Sequence, residues 1–192
     1  MPQTAIAPPQ ESLSAAKVRL LEIIKERSLL KGQFRLASGL MSDYYLDMKP
    51  TIFHPEGAAL CAEIIHRMME FDADVGSIGG LELGSVPIVA AVCARSWPER
   101  PVEGFVVRKE KKGHGTDQKI DGNFRPHSRV ILIEDVTTKG GSVMQAVRAV
   151  RDQGATIKKI ITIVDRLEGA QEKLKAEGLE LVPIFTTKDL LG

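Results

Sequence analysis

Hydrophobic residues in the first quarter of the chain recur first at helical and then at alternating spacing. Apolar residues between positions 13 and 24 follow one another every three or four residues, which predicts an amphipathic helix to about Ser28, ended by Gly32. Apolar and polar residues then alternate on both sides of a Ser38-Gly39 turn, which indicates a β-hairpin.

The rest of the chain alternates between strands, glycine-bearing loops and helices. The run from Val130 to Ile133 is continuously apolar, which is typical of a strand buried on both faces of a parallel sheet. Gly154 is placed to cap the C-terminal end of the helix predicted at 141–153. The pattern predicts helices at about 56–71 (entered through His54-Pro55), 87–95, 141–153 and 168–177. It predicts strands at 75–78, 105–107, 130–133, 160–164 and 181–185. A glycine-bearing loop is expected at 79–84 and a polar stretch without periodicity at 108–128. Such alternation predicts an α/β fold, a mainly parallel sheet flanked by helices.

Composition and charge narrow the class of protein. Of the 192 residues, 43% are hydrophobic and 27% are charged, which is typical of a globular chain long enough for one domain with a sizeable core. The formal net charge is +1. This near balance argues against a general nucleic-acid binder or a binder of anionic membranes, since both classes carry a basic excess.

The cysteines and the N-terminal residues bear on whether the protein is expected in a reducing or an oxidising compartment. Cys61 and Cys93 lie in apolar segments and fit neither a metal-ligand spacing nor a disulfide framework, so we expect a reducing environment. No apolar run approaches the roughly 20 residues that span a bilayer. Residues 1–10 contain three prolines and no basic region like that of a signal peptide. We therefore expect a cytoplasmic protein with a flexible tail over residues 1–10.

The strongest local signal follows the apolar strand at 130–133. Two adjacent carboxylates, Glu134 and Asp135, precede a Thr/Gly/Ser segment that opens a helix. Ligands of open parallel sheets bind beyond the carboxyl ends of the strands, and the first turn of a helix offers unpaired N–H groups to an anion. The segment from Thr138 to Ser142 is therefore predicted to wrap a phosphate.

The paired carboxylates need a separate reason, because two anions would oppose a bare phosphate site. They suit a ligand that also carries hydroxyl groups or shares a magnesium ion, and a sugar phosphate meets both conditions. The alternative is that Glu134 and Asp135 only end a strand and cap a helix. Neither a G-x-x-x-x-G-K-[ST] nor a G-x-G-x-x-G motif occurs at the glycine-bearing loop or elsewhere.

The segment from Glu134 to Ser142 resembles the phosphoribosyl pyrophosphate (PRPP) signature of the type I phosphoribosyltransferases. In that family the paired acids bind the ribose hydroxyls and the following loop binds the 5′-phosphate. The resemblance implies that PRPP is bound by Glu134, Asp135, Val136, Thr137, Thr138, Lys139, Gly140, Gly141 and Ser142, and it implies the type I phosphoribosyltransferase fold.

Three further segments resemble the orotate phosphoribosyltransferases in particular. The stretch from Phe34 to Asp47 is similar to the family's F-x-L-x-S-G-x-x-S-x-x-Y segment, which lines the pyrimidine pocket; hairpin packing is the alternative. Residues 108–115 match the R-K-x-x-K-x-H-G pattern of the family's flexible catalytic loop, although a charge run is also typical of a solvated face. Residues 164–170 are similar to the D-R-x-E-x-G-A segment, where the alternative is an ion pair of Arg166 with Asp165 and Glu168.

These correspondences imply site residues. Arg108, Lys109, Lys112 and His114 would bind pyrophosphate oxygens, with Lys109, Lys112 and Asp135 as the catalytic residues. Arg166 and Thr138 would bind orotate, since the fork of an arginine matches a planar carboxylate. The relatives often have Lys in place of Ala37 and in the loop occupied by Glu82-Leu83-Gly84.

The resemblance implies a reaction. Orotate and PRPP would give orotidine 5′-monophosphate and pyrophosphate in pyrimidine biosynthesis, with Mg²⁺ carried by PRPP and no dedicated set of protein ligands. It also implies a homodimer with a shared active site, a small N-terminal hood over about residues 11–50, a single domain over 11–192 and a catalytic loop over about 108–122. Two alternatives stay open: a phosphoribosyltransferase for another base, and a PRPP-sensing regulator, which the weak basic footprint disfavours.

Overall fold

The computed structural model describes residues 12–35, 41–70, 72–110 and 119–192. The predicted tail and the Ser38-Gly39 turn lie outside these residues. The helices are α1 Leu13–Arg27, α2 Lys49–Ile52, α3 Pro55–Met68, α4 Ser85–Ser96, α5 Gly141–Asp152, α6 Ala170–Ala176 and α7 Thr187–Leu191. The strands are β1 Leu29–Arg35, β2 Met41–Leu46, β3 Ser77–Leu81, β4 Glu103–Val107, β5 Ile120–Gly122, β6 Arg129–Thr137, β7 Thr156–Asp165 and β8 Leu181–Thr186.

Six strands form one sheet in the order β5-β4-β3-β6-β7-β8. All neighbours pair in parallel except β4 and β5, which are antiparallel. The prediction of a mainly parallel sheet flanked by helices is confirmed. None of the helices in the described ranges is long and apolar enough to cross a membrane.

The apolar run of β6 explains why helices cover both faces of the sheet. Successive side chains of a strand point to opposite faces. Ile131 and Ile133 belong to the core cluster that includes residues of α1, α3 and α4. Val130 and Leu132 belong to the cluster with α5 and α6. Each face of the strand is therefore removed from water by its own layer of helices.

The N-terminal helix and hairpin are present as predicted, apart from the end of the helix. The Ser12 side chain accepts from the backbone of Ala15 and caps α1. Strands β1 and β2 pair antiparallel. The prediction that Gly32 ends the helix is wrong, because Leu29 already pairs with Leu46 and Gly32 lies inside β1 with a φ of +148°. The register of the β1–β2 pairing shifts between Lys31 and Phe34, and glycine with a positive φ is common at such irregular positions of a strand.

The predicted loop at 79–84 is partly a strand. Gly79 and Gly80 lie in β3, and every residue of that strand is buried. A Cβ atom on Gly79 would lie 2.4 Å from the Phe105 ring, and one on Gly80 would lie 2.1 Å from the carbonyl oxygen of Ile133. These glycines therefore allow close packing inside the sheet, and the loop is shortened to residues 82–84.

Other boundaries differ by a few residues. Strand β6 continues beyond Ile133 to Thr137, so the two carboxylates lie in the strand rather than after it. Helix α3 ends at Met68 rather than Phe71, and α6 begins at Ala170 rather than Glu168. Helices α2 and α7 and strand β5 were not predicted, because each has five residues or fewer and shows no periodicity. Gly154 is confirmed after α5, with a φ of +72°.

Candidate active site

A cleft of about 340 Å³ opens at the carboxyl ends of β3, β4 and β6. The three strands are parallel and adjacent, so the segments that follow them meet at one edge of the sheet. The cleft is lined by Lys49, Ile52, Phe53, Leu81, Glu82, Leu83, Gly84, Pro87, Lys109, Glu134, Asp135, Val136 and Ser142. Five of the residues predicted from the sequence are therefore brought together, namely Lys109, Glu134, Asp135, Val136 and Ser142.

The first of the paired carboxylates is removed from water. Only 6% of Glu134 is exposed, and its Oε1 accepts from the Asp135 backbone at 3.3 Å. Burial raises the pKa of Glu134 well above its usual value, and the neighbouring Asp135 carboxylate raises it further. The shift disfavours a second full negative charge beside Asp135, which reduces the repulsion of a phosphorylated ligand.

The second carboxylate faces the cleft. Asp135 is half-buried, and its Oδ1 accepts from the backbone N–H of Val136 at 2.8 Å. The loop after β3 packs against it at Gly84, where a Cβ atom would lie 2.5 Å from the carboxylate. Glycine at this position therefore lets the two loops approach each other closely.

The segment from Thr137 to Ser142 connects β6 to α5. The Thr137 hydroxyl donates to Asp165 Oδ1 at 3.1 Å, and the Thr138 carbonyl accepts from the backbone of Ala170 at 3.1 Å. Gly140, with a φ of +69°, turns the chain into the helix. The N–H groups of the first helical turn have no partner within the helix and carry the positive end of its dipole. The segment is therefore fixed by its neighbours, and the first turn of α5 can offer these N–H groups to an anion.

The first residues of the predicted catalytic loop are held by the loop after β3 and by the segment around β5. The backbone N–H of Lys109 donates to Glu82 Oε1 at 2.8 Å, and its side chain lines the cleft. The guanidinium of Arg108 lies 3.2 Å from Asp121, and the Arg108 backbone donates to the carbonyl of Lys119. Arg108 is thus held by β5 and the residue before it, and it is not among the described residues that line the cleft. Lys112 and His114 lie outside the described residues.

Arg166 lies beside the hairpin rather than in the cleft lining. Its side chain is 10% exposed, its Nε lies 2.8 Å from Glu168 Oε1, and its guanidinium carbon lies 4.9 Å from the centre of the Tyr44 ring. The alternative of an ion pair is present in part, with Glu168. Asp165 instead accepts from Thr137 and from the backbone of Leu167 at 3.1 Å.

Sequence reasoning assigned no role to several residues of the cleft. Lys49 and Phe53 follow the hairpin, and Glu82 and Leu83 follow β3. Lys49 Nζ lies 2.6 Å from Asp47 Oδ1. None of these residues stands in a motif, and only the topology brings them to the same edge of the sheet.

The described residues contain no group of three or more His, Cys, Asp and Glu side chains that could hold a metal ion. Asp135 nevertheless presents a carboxylate oxygen to the cleft, and carboxylates are preferred ligands of Mg²⁺. An ion with one protein carboxylate, substrate oxygens and water fits these residues, since Mg²⁺ commonly keeps several waters and is bound through substrate phosphates.

Comparison with known proteins gives consistent matches. A family model described as the phosphoribosyl transferase domain matches residues 54–186. The orotate phosphoribosyltransferase of a Bradyrhizobium species is 43% identical over 185 residues, which cover 94% of this chain and all of that protein.

Solved structures of orotate phosphoribosyltransferases are similar to this chain in fold and in sequence. That of Mycobacterium tuberculosis H37Rv orotate phosphoribosyltransferase with Fe(III) dicitrate has a TM-score of 0.81 at 35% identity, covering 91% of this chain and 98% of the other. A structure of the same protein in complex with PRPP has a TM-score of 0.78 at 32% identity, covering 92% and 99%.

Proposed function

The chain belongs to the orotate phosphoribosyltransferase family, and from this premise we propose that it transfers the ribose 5-phosphate group of PRPP to orotate. The products are orotidine 5′-monophosphate and pyrophosphate, in pyrimidine biosynthesis. One observation carries the proposal. The cleft joins the paired acids Glu134 and Asp135 with Lys109 and with Ser142 in the first turn of α5.

The ribose is bound at the end of β6. The open carboxylate of Asp135 accepts hydrogen bonds from the ribose hydroxyls, and the buried Glu134 lies beside it at the end of β6. The loop of Thr137, Thr138, Lys139, Gly140, Gly141 and Ser142 binds the 5′-phosphate through backbone N–H groups and hydroxyls. Val136 lies between the two subsites.

The chemical step breaks the bond from C1′ to the diphosphate oxygen and forms the bond from C1′ to N1 of orotate, whose proton is released. Charge develops on the leaving diphosphate and on an oxocarbenium-like ribose, so preorganised charges accelerate the step more than a protein nucleophile would. Arg108, Lys109, Lys112 and His114 supply cations toward the diphosphate. Asp135 is the residue that would hold a Mg²⁺ ion carried by PRPP, and the ion would supply neutralisation of part of the charge on the diphosphate.

The base is oriented by Arg166 and Thr138. Arg166 has a guanidinium fixed over the Tyr44 ring, and its partner Glu168 is one-third exposed. Exchange of this partner for the carboxylate of orotate keeps the ion pair and adds the two parallel hydrogen bonds of a bidentate contact.

The proposal extends to the assembly, the organisation and the compartment. We propose a homodimer whose active sites receive the loop residues Lys112 and His114 from the partner subunit.

The chain is divided into a tail over 1–10, a hood over about 11–50 and a catalytic loop over about 108–122, all but the tail within one domain. A cytoplasmic location is supported by the free thiols of Cys61 and Cys93, which suit a reducing compartment.

The test is the consumption of orotate, followed by its absorbance, with PRPP and Mg²⁺ present. Uracil, adenine and hypoxanthine serve as alternative acceptors, and a chelator serves as the control for the metal. We expect loss of orotate alone, abolished by the chelator. Turnover of another base would contradict the assignment of Arg166. Binding of PRPP without turnover of any base would favour a PRPP-sensing regulator.

A further inference from the structure

Lys49 is a cleft residue to which the roles above give no function. It begins α2, directly after the β1–β2 hairpin, and its side chain lines the cleft together with Glu82, Lys109 and Asp135. Lys49 therefore places a cation in the cleft from the hairpin side of the molecule, whereas Lys109 places one from the end of β4.

Asp47 fixes this lysine at two atoms. Its Oδ1 lies 2.6 Å from Lys49 Nζ and also accepts from the Lys49 backbone N–H at 3.1 Å. The hydrogen bond to Asp47 raises the pKa of Lys49, and attraction by Tyr45 and Asp135 adds to this effect. Lys49 is therefore an ammonium ion at neutral pH and is oriented toward the cleft before any ligand binds.

The ion pair with Asp47 is open to exchange. The Lys49 side chain is 56% exposed, and exposed ion pairs contribute little stability. An anionic oxygen in the cleft can therefore replace Asp47 as the partner of the ammonium group at small cost, while the backbone contact to Asp47 keeps the residue in place.

The charges of the described cleft lining favour a role for this cation in binding an anion. Among the described lining residues, Glu82, Glu134 and Asp135 are acidic, and Lys49 and Lys109 are the basic ones. The loop 82–84 contributes a carboxylate and no cation, and Gly84 is packed against Asp135. A polyanionic diphosphate in this cleft is attracted by both ammonium groups, so Lys49 adds to the cations that the predicted loop supplies.

We propose that Lys49 binds the diphosphate group of PRPP, with the ammonium group leaving Asp47 for a diphosphate oxygen. This inference rests on the proposed function, because it assigns a further residue of the same site. Lys49 contacts the diphosphate in the bound substrate and in the transition state alike. Its loss therefore raises the KM for PRPP much more than it lowers kcat.

The experiment compares Lys49→Met, Lys49→Gln and Lys49→Arg with Lys175→Met as the matched control. Lys175 is exposed on α6 and is not part of the described cleft lining, so its replacement makes the same change of charge elsewhere. Dissociation constants for PRPP, pyrophosphate and ribose 5-phosphate are measured by titration calorimetry. We expect Lys49→Met and Lys49→Gln to weaken PRPP and pyrophosphate about tenfold, the typical effect of losing one charge-assisted contact.

Ribose 5-phosphate lacks the diphosphate and provides the internal control. Its affinity should stay within twofold in every variant, and Lys49→Arg should restore most of the affinity for PRPP. Equal weakening of ribose 5-phosphate would show that Lys49 only maintains the local structure and would overturn the proposal. Unchanged affinities for PRPP and pyrophosphate would also overturn it. Failure of the proposed function would show separately, as unmodified protein that binds PRPP without consuming orotate.

Discussion

At the scale of single residues, the neighbouring carboxylates Glu134 and Asp135 have different environments. Glu134 is buried and Asp135 faces the cleft, and burial favours the neutral form of the first. The proposed ribose site therefore combines a buried carboxyl group with one that is open to a ligand. The division of roles follows from the register of β6 and not from the residue types.

This difference has a consequence for the stability of the protein without ligand. A carboxyl with a raised pKa in the folded state stabilises the fold fully below its ordinary pKa, and the stabilisation is lost as the pH rises through the raised value. Glu134→Gln cannot titrate. The melting temperature of this variant, relative to that of the unmodified protein, should therefore rise between pH 5 and pH 8. The corresponding difference in the free energy of unfolding grows by at most about 1.4 kcal/mol per pH unit.

Thermal unfolding followed by circular dichroism at pH 5, 6.5 and 8 measures the difference. Lys175→Met, a surface change outside the described cleft lining, corrects for the general effect of pH. A difference between Glu134→Gln and the unmodified protein that stays constant across the three values would contradict a raised pKa of Glu134.

Lys109 is expected to act on the transition state. Its side chain lines the cleft while its backbone is fixed by Glu82, so the ammonium group is oriented in advance. Lys109→Ala should lower kcat by about 100-fold, as loss of one preorganised electrostatic contact does, and should weaken PRPP binding much less. Steady-state kinetics and calorimetry on the same preparation separate the two effects, and an unchanged kcat would refute the role.

Some of the site residues can be found from the sequence, and others cannot. The segment 134–142 is contiguous and follows an apolar strand, so its residues can be identified as a candidate site from the sequence. Lys49 and Glu82 belong to separate segments that become neighbours only when the sheet forms. The protonation state of Glu134 depends on burial, which no local pattern reports.

At the scale of secondary structure elements, β3 shows how glycine can mislead a prediction. Gly79 and Gly80 suggest a loop, yet both lie in a buried strand where a side chain would clash with Phe105 or Ile133. The apolar strands and the longer helices were predictable because their periodicity is strong, whereas α2, α7 and β5 are too short to show one.

The close approach at Gly80 predicts a large effect of a single methyl group. Gly80→Ala would place a Cβ atom 2.1 Å from the Ile133 carbonyl oxygen and 2.7 Å from the Ser85 Cβ, so β3 must shift relative to β6. We expect a loss of about 2 kcal/mol of stability, typical of overpacking. Gly76→Ala is the matched control, because a Cβ atom at that exposed position has nothing within 4 Å.

Chemical denaturation of the two variants measures the free energies of unfolding. Equal stabilities for Gly80→Ala and Gly76→Ala would show that β3 and β6 tolerate a wider separation than the structure indicates.

At the scale of the whole molecule, strand order creates the cleft. Strand β3 lies between β4 and β6, although β4 and β5 separate β3 from β6 in the sequence. The alternation of strands and helices predicts a parallel sheet but does not determine which strands are neighbours. The fold class was therefore predictable, while the set of segments that surround the cleft required the structure.

The proposed shared active site can be tested by hybrid dimers. Subunits with Lys112→Ala and subunits with Asp135→Asn are each expected to be nearly inactive. If the loop of one subunit serves the cleft of the other, a hybrid dimer contains one intact site and one doubly altered site, so mixing should restore activity. Sedimentation should give about twice the chain mass of 21.0 kDa. No recovery in hybrids of confirmed composition would contradict the exchange of loops.

The most direct test of the transfer itself is ³¹P nuclear magnetic resonance of PRPP and Mg²⁺ incubated with the protein, with and without orotate. The proposed reaction predicts that the PRPP signals disappear only when orotate is present, and that pyrophosphate and the phosphate of orotidine 5′-monophosphate appear in equal amounts. PRPP that persists with orotate, or pyrophosphate released equally without it, would contradict an orotate phosphoribosyltransferase.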